Sequence, residues 1–110
     1  MIKHVKDIIK IANINGYEQC VDLLIEEMAE LTQALLKEKR VRNLAVDKKD
    51  PIRSSIENGF ATYQAKTNVE EEVSDVYITL HELLTFINCT NVESIIDFKI
   101  ERALENESKL

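Results

Sequence analysis

The sequence predicts an all-α fold in which four helices, or four helices and one additional short helix, form a bundle. Only 2 glycines and 1 proline interrupt the 110 residues, and 45% of the residues are hydrophobic, which argues against disorder. Apolar residues recur at helical spacing in four segments, whereas patterns typical of strands are nearly absent. The length fits a single domain, residues 1–110, and we expect helix packing or self-association to supplement its modest core.

The first two predicted helices flank a turn. The first spans residues 4–13 and ends before Asn15-Gly16, a dipeptide typical of turns. The second spans residues 18–40, and its apolar residues alternate at spacings of three and four, which forms one stripe along the helix. This stripe comprises Val21, Leu24, Met28, Leu31 and Leu35. We therefore expect this side of the second helix to be buried.

The segment from residue 41 to residue 66 is the least regular part of the sequence. It contains turn signals at residues 47–51 and at Asn58-Gly59, and a short helix fits at residues 53–57. In a small domain, a connection of this length often has a function. We therefore expect a long, mostly irregular connection between the second and third helices.

Two copies of the tetrapeptide TNVE are predicted to start the third helix at Thr67 and the fourth at Thr90. In such a capping box, the Thr hydroxyl accepts a hydrogen bond from the amide three residues on, and the Glu reaches back. We expect the third helix to end near Asn88 and the tail from Glu105 onward to fray. The expected apolar faces comprise Val73, Val76, Leu80 and Leu83 in the third helix, and Val92, Ile95, Ile96, Ile100 and Ala103 in the fourth.

Charge and cysteine content restrict the classes of partner. With 14 basic and 20 acidic residues the formal charge is −6, so we expect binding to neither nucleic acid nor an anionic membrane surface. No segment is apolar over the length of a bilayer span, and the N-terminus lacks a signal-peptide core. Cys20 and Cys89 lack zinc-site spacing and adjoin apolar residues, which predicts buried free thiols and a reducing cytoplasmic location.

Two acidic pairs carry the functional signal. Glu27 and Glu30 lie three residues apart in the second helix, and Glu72 and Asp75 lie three residues apart in the third. Residues at this spacing project from one side of a helix, about one turn apart. Each pair lies on a partly apolar flank of its helix, so the two pairs can face each other across a groove if the stripes pack together.

Four carboxylates in one groove repel each other, and that repulsion raises their pKa values unless a cation offsets it. Mg²⁺ and Mn²⁺ prefer carboxylate oxygens, whereas the absence of an accompanying His or Cys argues against zinc. The spacing alone leaves a second interpretation open, in which the acidic residues form a solvated helix face. A third pair, Asp47 with Asp50, lies in the irregular segment.

The motif residues favour the metal-site interpretation. EEMAEL at residues 26–31 and EEVSDV at residues 71–76 resemble the paired ExxE and ExxD motifs of the MazG-like, all-α NTP pyrophosphohydrolase superfamily. The resemblance covers the second and third helices, about half of the chain. It implies a helical bundle that assembles as a dimer or tetramer, and Mg²⁺-dependent hydrolysis of a nucleoside triphosphate to the monophosphate and pyrophosphate.

The same resemblance implies that the metal is bound by four carboxylates, those of Glu27, Glu30, Glu72 and Asp75. The expected metal is Mg²⁺, and Mn²⁺ can take its place. Either Glu27 or Glu26 is expected to orient or deprotonate the attacking water. Basic residues are expected to hold the phosphates. These candidates are Lys37, Lys39 and Arg40 at the end of the second helix, Lys66 before the third, and Lys99 and Arg102 in the fourth.

Two alternative functions stay open at this point. One is hydrolysis of phosphoribosyl-ATP by a related bundle, although the first helix and the long connection give that narrower role no clear support. The other is a non-catalytic helical protein that binds a partner or a metal ion. A non-catalytic protein that binds a partner predicts no metal dependence and no loss of function when the acidic residues are mutated.

Overall fold

Four α-helices make up the computed structural model, which describes residues 3–43 and 51–108, with side chains for residues 3–43 and 59–107. The helices are α1 (Val5–Asn15), α2 (Tyr17–Arg42), α3 (Pro51–Leu84) and α4 (Cys89–Ser108). The described residues contain no strand. The all-α prediction is therefore confirmed, although several boundaries differ from those expected.

Gly16 makes the sharp turn that joins α1 to α2. Its φ of 83° and ψ of 163° lie in a region that is open almost only to glycine. The Gly16 amide donates to the Ala12 carbonyl at 2.8 Å, and the Gly16 carbonyl accepts from the Cys20 amide at 3.0 Å. One residue therefore closes the first helix and opens the second, as the Asn15-Gly16 signal predicts.

Helices α2 and α3 form a long antiparallel hairpin, which contains most of the interhelical packing. At one end, burial raises the pKa of the Cys20 thiol, and the negative charge of the nearby Glu82 carboxylate raises it further. At the other end, Lys37 and Val41 share a groove with Ala65 and Ala61. This antiparallel register places the middle of α2 against the middle of α3.

A buried polar contact fixes α1 against the hairpin. The Asn15 side-chain amide donates to the Glu82 carboxylate at 3.0 Å, and Glu82 is only 4% exposed. Ala12 and Cys20 are fully buried beside this contact, and the rings of Tyr17 and Phe86 meet edge to face with centroids 5.8 Å apart. These contacts hold the start of α2 close to the end of α3.

The packed face of α2 differs from the predicted stripe. Met28 and Leu35 are 51% and 48% exposed, so the expectation that they are buried is wrong. The buried and half-buried positions instead include a series at spacings of four and three residues, formed by Cys20, Leu24, Glu27, Leu31 and Ala34. The small side chains of Cys20 and Ala34 allow α3 to approach on this side, and Glu27 therefore lies at the centre of the interface rather than on its flank.

The packed face of α3 has the same arrangement. Its buried and half-buried positions also recur at spacings of four and three, and they comprise Ala65, Val69, Glu72, Val76 and Thr79. Val73 and Leu80, predicted to be part of the apolar stripe, are 48% and 39% exposed. Glu72 therefore occupies the centre of the α3 face, as Glu27 does on α2.

The predicted start of the third helix at Thr67 is wrong, because α3 begins at Pro51 and passes through both the expected short helix and Asn58-Gly59. The Thr67 hydroxyl donates to the Tyr63 carbonyl at 3.0 Å, one turn back, instead of capping a helix. Glycine only weakens a helix interior, so Gly59 does not have to end one. Residues 44–50, which include the pair Asp47 and Asp50, lie outside the described residues.

Helix α4 begins one residue before the predicted Thr90, and its cap is Asn88. The Asn88 side-chain oxygen accepts from the Asn91 amide at 3.1 Å, which satisfies a free donor of the first turn. The helix continues through Ser108, so the expected fraying from Glu105 is not observed up to that residue. Cys89 is exposed, which contradicts the expectation that both thiols are buried; Cys20 is buried as predicted, and both are free.

Helix α4 extends away from the other three helices. From residue 89 to residue 107 every side chain is exposed except that of Val92, which is half-buried. The radius of gyration is 19.4 Å, whereas a compact domain of about 100 residues has about 13 Å. Within residues 3–43 and 51–108, no helix has both the length and the hydropathy needed to cross a membrane.

Substitution of the two glycines tests the α1–α2 turn. Gly16→Ala forces a Cβ into a positive-φ conformation, so we expect a loss of about 1–2 kcal/mol in the free energy of unfolding. Gly59→Ala adds a methyl group inside a helix where no atom lies within 4 Å, and we expect a gain of about 0.5–1 kcal/mol. Thermal unfolding followed by circular dichroism measures both; equal effects of the two substitutions would contradict the turn geometry.

Candidate metal centre

Four carboxylates meet in the middle of the α2–α3 groove. The antiparallel register places Glu27 level with Asp75, and Glu30 level with Glu72. Because each pair has i, i+3 spacing, the members of a pair lie one turn apart on the same side of their helix. The two acidic pairs identified in the sequence therefore face each other across the groove.

Three of these residues lie close enough to share one ion. Glu27, Glu72 and Asp75 each offer a carboxylate oxygen, and these oxygens all lie within 4.8 Å of one another. Glu30 is exposed at the edge of the groove, and its carboxylate acts on both Glu27 and Glu72. All four predicted ligands therefore belong to one electrostatic unit.

Two oxygen atoms at the centre of this cluster are shielded from solvent. They are Oε2 of Glu27 and Oε2 of Glu72, and neither has a hydrogen-bond partner among the described residues. Desolvation is the largest cause that raises the pKa of both glutamates, and the negative charges of Glu30 and Asp75 add to it. The fold therefore maintains a concentration of negative charge that no described side chain neutralises.

The donor set fits a hard divalent cation. The group consists of carboxylates alone, with neither imidazole nor thiolate, and such oxygen donors suit Mg²⁺ or Mn²⁺ better than Zn²⁺. Shielded oxygens without partners are the atoms that a bound cation satisfies. The residues present therefore fit the metal site that the sequence predicts.

The predicted catalytic alternative Glu26 lies outside this cluster. It precedes Glu27 on α2, where one residue corresponds to a rotation of about 100° around the helix axis, and its side chain is exposed. Glu27 is half-buried within the cluster. Of the two candidates for orienting a water, Glu27 is the one that the fold places among the other carboxylates.

The six predicted phosphate-binding residues divide into two groups. Lys37 lines a cavity of about 460 Å³ between α2 and α3, together with Gln64 and Asn68. All six residues are exposed, but the other five line neither this cavity nor the carboxylate cluster; they are Lys39 and Arg40 on α2, Lys66 on α3, and Lys99 and Arg102 on α4. Within a single chain, the fold therefore brings only Lys37 into the groove that contains the cluster.

Two polar features of the groove were not identified from the sequence. Gln64 and Asn68 fell within or next to the segment expected to be irregular, so they could not be assigned to a helix face. The buried Asn15–Glu82 contact was also missed, although Glu82 follows Asp75 by seven residues and therefore shares its helix face. The seven-residue spacing from Asp75 could therefore have indicated that Glu82 faces the same groove.

Comparison with known proteins does not assign the chain to a family. No protein-family model, no curated protein and no solved structure matches the chain. The resemblance to MazG-like pyrophosphohydrolases therefore stays a prediction from the motif residues, and the arguments about function depend on the geometry of this chain alone.

The stability of the metal-free protein tests the electrostatics of the cluster. Because the folded-state pKa values of Glu27 and Glu72 are raised above 4.5, the folded protein binds protons more tightly than the unfolded chain. Their contribution to stability therefore falls as the pH rises through the window above that value. We expect Glu27→Gln to raise the melting temperature in EDTA at about pH 7.5, with a smaller gain near pH 5.

Asp22→Asn serves as the matched control, since Asp22 is exposed on the same helix, beyond its first turn and outside the cluster. We expect this control to leave the melting temperature nearly unchanged at both pH values. A lower melting temperature for Glu27→Gln at neutral pH without metal would show that Glu27 stabilises the fold, which contradicts the repulsion described above.

Proposed function

We propose that this protein is a nucleoside triphosphate pyrophosphohydrolase that requires Mg²⁺ or Mn²⁺. Its reaction is the hydrolysis of an NTP or dNTP to the monophosphate and pyrophosphate, which suits a role in clearing the nucleotide pool. The observation that carries the proposal is the meeting of both motif pairs in one groove, with two shielded carboxylate oxygens that have no hydrogen-bond partner among the described residues.

The charge of the site explains why a cation and an anionic substrate belong together there. Four carboxylates repel a triphosphate, and they are themselves destabilised by one another. Glu27, Glu30, Glu72 and Asp75 would hold the cation between the two helices. When bound, a divalent cation neutralises phosphate oxygens and lowers the pKa of a coordinated water.

The carboxylates of this chain also account for the proton transfer. In the proposed reaction a water oxygen bonds to the α-phosphorus, and the bond from that phosphorus to the α–β bridging oxygen breaks. Pyrophosphate leaves with the bonding electron pair. Glu27 is proposed to accept the proton of the water, because it is the candidate base whose carboxylate lies within the cluster.

Self-association is part of the proposal, because a single chain leaves a large apolar area in water. The accessible surface is 9004 Å², whereas a compact monomer of 12.7 kDa exposes about 6,200 Å². Exposed apolar side chains lie along α4, where Ile95, Ile96, Phe98 and Leu104 are 47–64% exposed. We propose that a homodimer or homotetramer buries this surface, and that α4 of a second copy can bring Lys99 and Arg102 to the groove.

Turnover with a substrate panel tests the proposed reaction. We expect the purified protein to release pyrophosphate and the monophosphate from at least one canonical or modified NTP or dNTP, only when Mg²⁺ or Mn²⁺ is present. Glu72→Gln is expected to reduce that rate by at least a hundredfold, because it removes the charge at the centre of the metal site. Circular dichroism checks that the variant stays helical.

Glu70→Gln is the matched control, since Glu70 is an exposed acidic residue on α3 that lies outside the cluster. It is expected to keep the wild-type rate. Turnover by the wild type that continues in EDTA, or that survives Glu72→Gln, would refute the metal assignment. If the protein hydrolyses none of the nucleotides in the panel but does hydrolyse phosphoribosyl-ATP, the proposed substrate is replaced by phosphoribosyl-ATP. If it hydrolyses neither, a non-catalytic binding protein is favoured.

The mass in solution tests the assembly. We expect light scattering to give at least twice the chain mass of 12.7 kDa. Ile96→Glu places a charge on the exposed apolar side of α4 and is expected to lower that mass, whereas Glu93→Gln on the same helix is not. A monomeric wild type at micromolar concentration would contradict the proposed assembly.

A further inference from the structure

The cavity that contains Lys37 differs in charge from the rest of the α2–α3 groove. Its volume is about 460 Å³, and the described side chains of its walls provide one ammonium group, two carboxamides and no carboxylate. The six lining residues are Lys37, Val41, Ala61, Gln64, Ala65 and Asn68. This cavity is therefore a locally positive compartment in a chain whose formal charge is −6.

This cavity adjoins the carboxylate cluster. On α3, Asn68 precedes Glu72 by four residues, which corresponds to about 6 Å along the helix. On α2, Lys37 follows Glu30 by seven residues, which corresponds to about 10 Å along the helix. Helical side chains tilt toward the N-terminus, so the ammonium group of Lys37 can lie closer to Glu30 than this backbone distance. A ligand of a few linked phosphates can therefore contact a cation at the cluster and the Lys37 ammonium at once.

The polar groups of this cavity are not used by the fold. Lys37 forms no ion pair with another described residue, and the adjacent Glu38 pairs with Arg42 at 3.1 Å instead. The side chains of Gln64 and Asn68 form no hydrogen bond within the described part of the chain, although they lie one turn apart on the same helix. An ammonium group and two amide groups thus have donors available for a ligand.

We propose that this cavity is the subsite for the β- and γ-phosphates, and that it holds the pyrophosphate product after cleavage. The inference depends on the proposed function, since it assigns one end of that function's substrate. Lys37 provides the positive charge, and the amides of Gln64 and Asn68 donate to phosphate oxygens.

The charge distribution favours phosphate over a base in this cavity. A base carries no net charge and gains little from a lysine that has no acidic partner, whereas pyrophosphate carries several negative charges. At the opposite end of the groove, the buried Glu82 carboxylate disfavours phosphate by like-charge repulsion. The α2–α3 groove therefore has a buried carboxylate at the Glu82 end and a lysine at the other end, and the Lys37 end is the one that favours phosphate.

Direct binding of inorganic pyrophosphate and inorganic tripolyphosphate tests the subsite without any turnover. Isothermal titration calorimetry in the presence of Mg²⁺ compares the wild type with Lys37→Met, which keeps much of the side-chain length and removes the charge. We expect Kd for both ligands to rise about tenfold or more, the effect typical of losing a charge-assisted contact. Asn68→Asp, which adds a negative charge at nearly constant shape, is expected to weaken binding in the same direction.

Lys10→Met is the matched control, because Lys10 is an exposed lysine on α1 and lies outside the cavity. This control removes the same charge from the chain and is expected to change Kd by less than twofold. Circular dichroism on all variants checks that they are folded. An unchanged Kd in Lys37→Met and Asn68→Asp would overturn the subsite.

The remaining outcomes separate the subsite from the reaction. If the wild type binds pyrophosphate through Lys37 but hydrolyses no nucleotide, the subsite stands and the proposed reaction fails. If the wild type hydrolyses nucleotides but binds neither inorganic ligand, the subsite is overturned while the reaction stands. A change in the ranking of nucleobases by Lys37→Met and Asn68→Asp, with Kd for pyrophosphate unchanged, would place the base here and would also overturn it.

Discussion

Repulsion among carboxylates at the centre of the α2–α3 interface is the constraint on which the rest of the structure depends. Glu27 and Glu72 occupy the middle of two packed faces, where apolar residues would bury area without an electrostatic cost. Their shielded oxygens have no hydrogen-bond partner within the described part of the chain, so the middle of the hairpin carries an electrostatic cost. A bound cation removes that cost, which links the stability of the hairpin to the proposed function.

Contacts at the two ends of the hairpin hold α2 and α3 together despite the repulsion at its centre. At one end, Gly16 turns α1 back onto the hairpin, and Asn15 donates to the buried Glu82. At the other end, the helices approach across the alanines at positions 61 and 65, which leave the space of the Lys37 cavity. The groove therefore combines a buried carboxylate at one end, a carboxylate cluster in the middle and a lysine at the other end.

The sequence predicts the number and type of the helices because apolar periodicity depends on every residue of a segment. It also predicts the four clustered carboxylates, since i, i+3 spacing fixes the side of a helix from which both members project. The start of α3 could not be predicted in the same way. TNVE is a local signal, and at Thr67 the continuing helix provides the Tyr63 carbonyl as a partner for the hydroxyl.

The choice of packed face also depends on information beyond the periodicity. The apolar residues Met28 and Leu35 are exposed, whereas the smaller Cys20 and Ala34 are buried, because close approach of two helices favours small side chains. Apolar side chains left on the outside of α2 and along α4 suit contacts with a second copy of the chain. Gln64 and Asn68 line the groove because α3 extends back to Pro51, well before the predicted start at Thr67. The cavity could therefore not be predicted from the motifs.

The central claim is that the two acidic pairs form one site for a divalent cation. Titration of Mn²⁺ into the metal-free protein, followed by the electron paramagnetic resonance signal of the free ion, tests it most directly. We predict saturable loss of the free-ion signal with the wild type, and little loss with a folded variant that carries both Glu27→Gln and Glu72→Gln. A free-ion signal that the wild type leaves unchanged, or that the double variant depletes equally well, would contradict the claim.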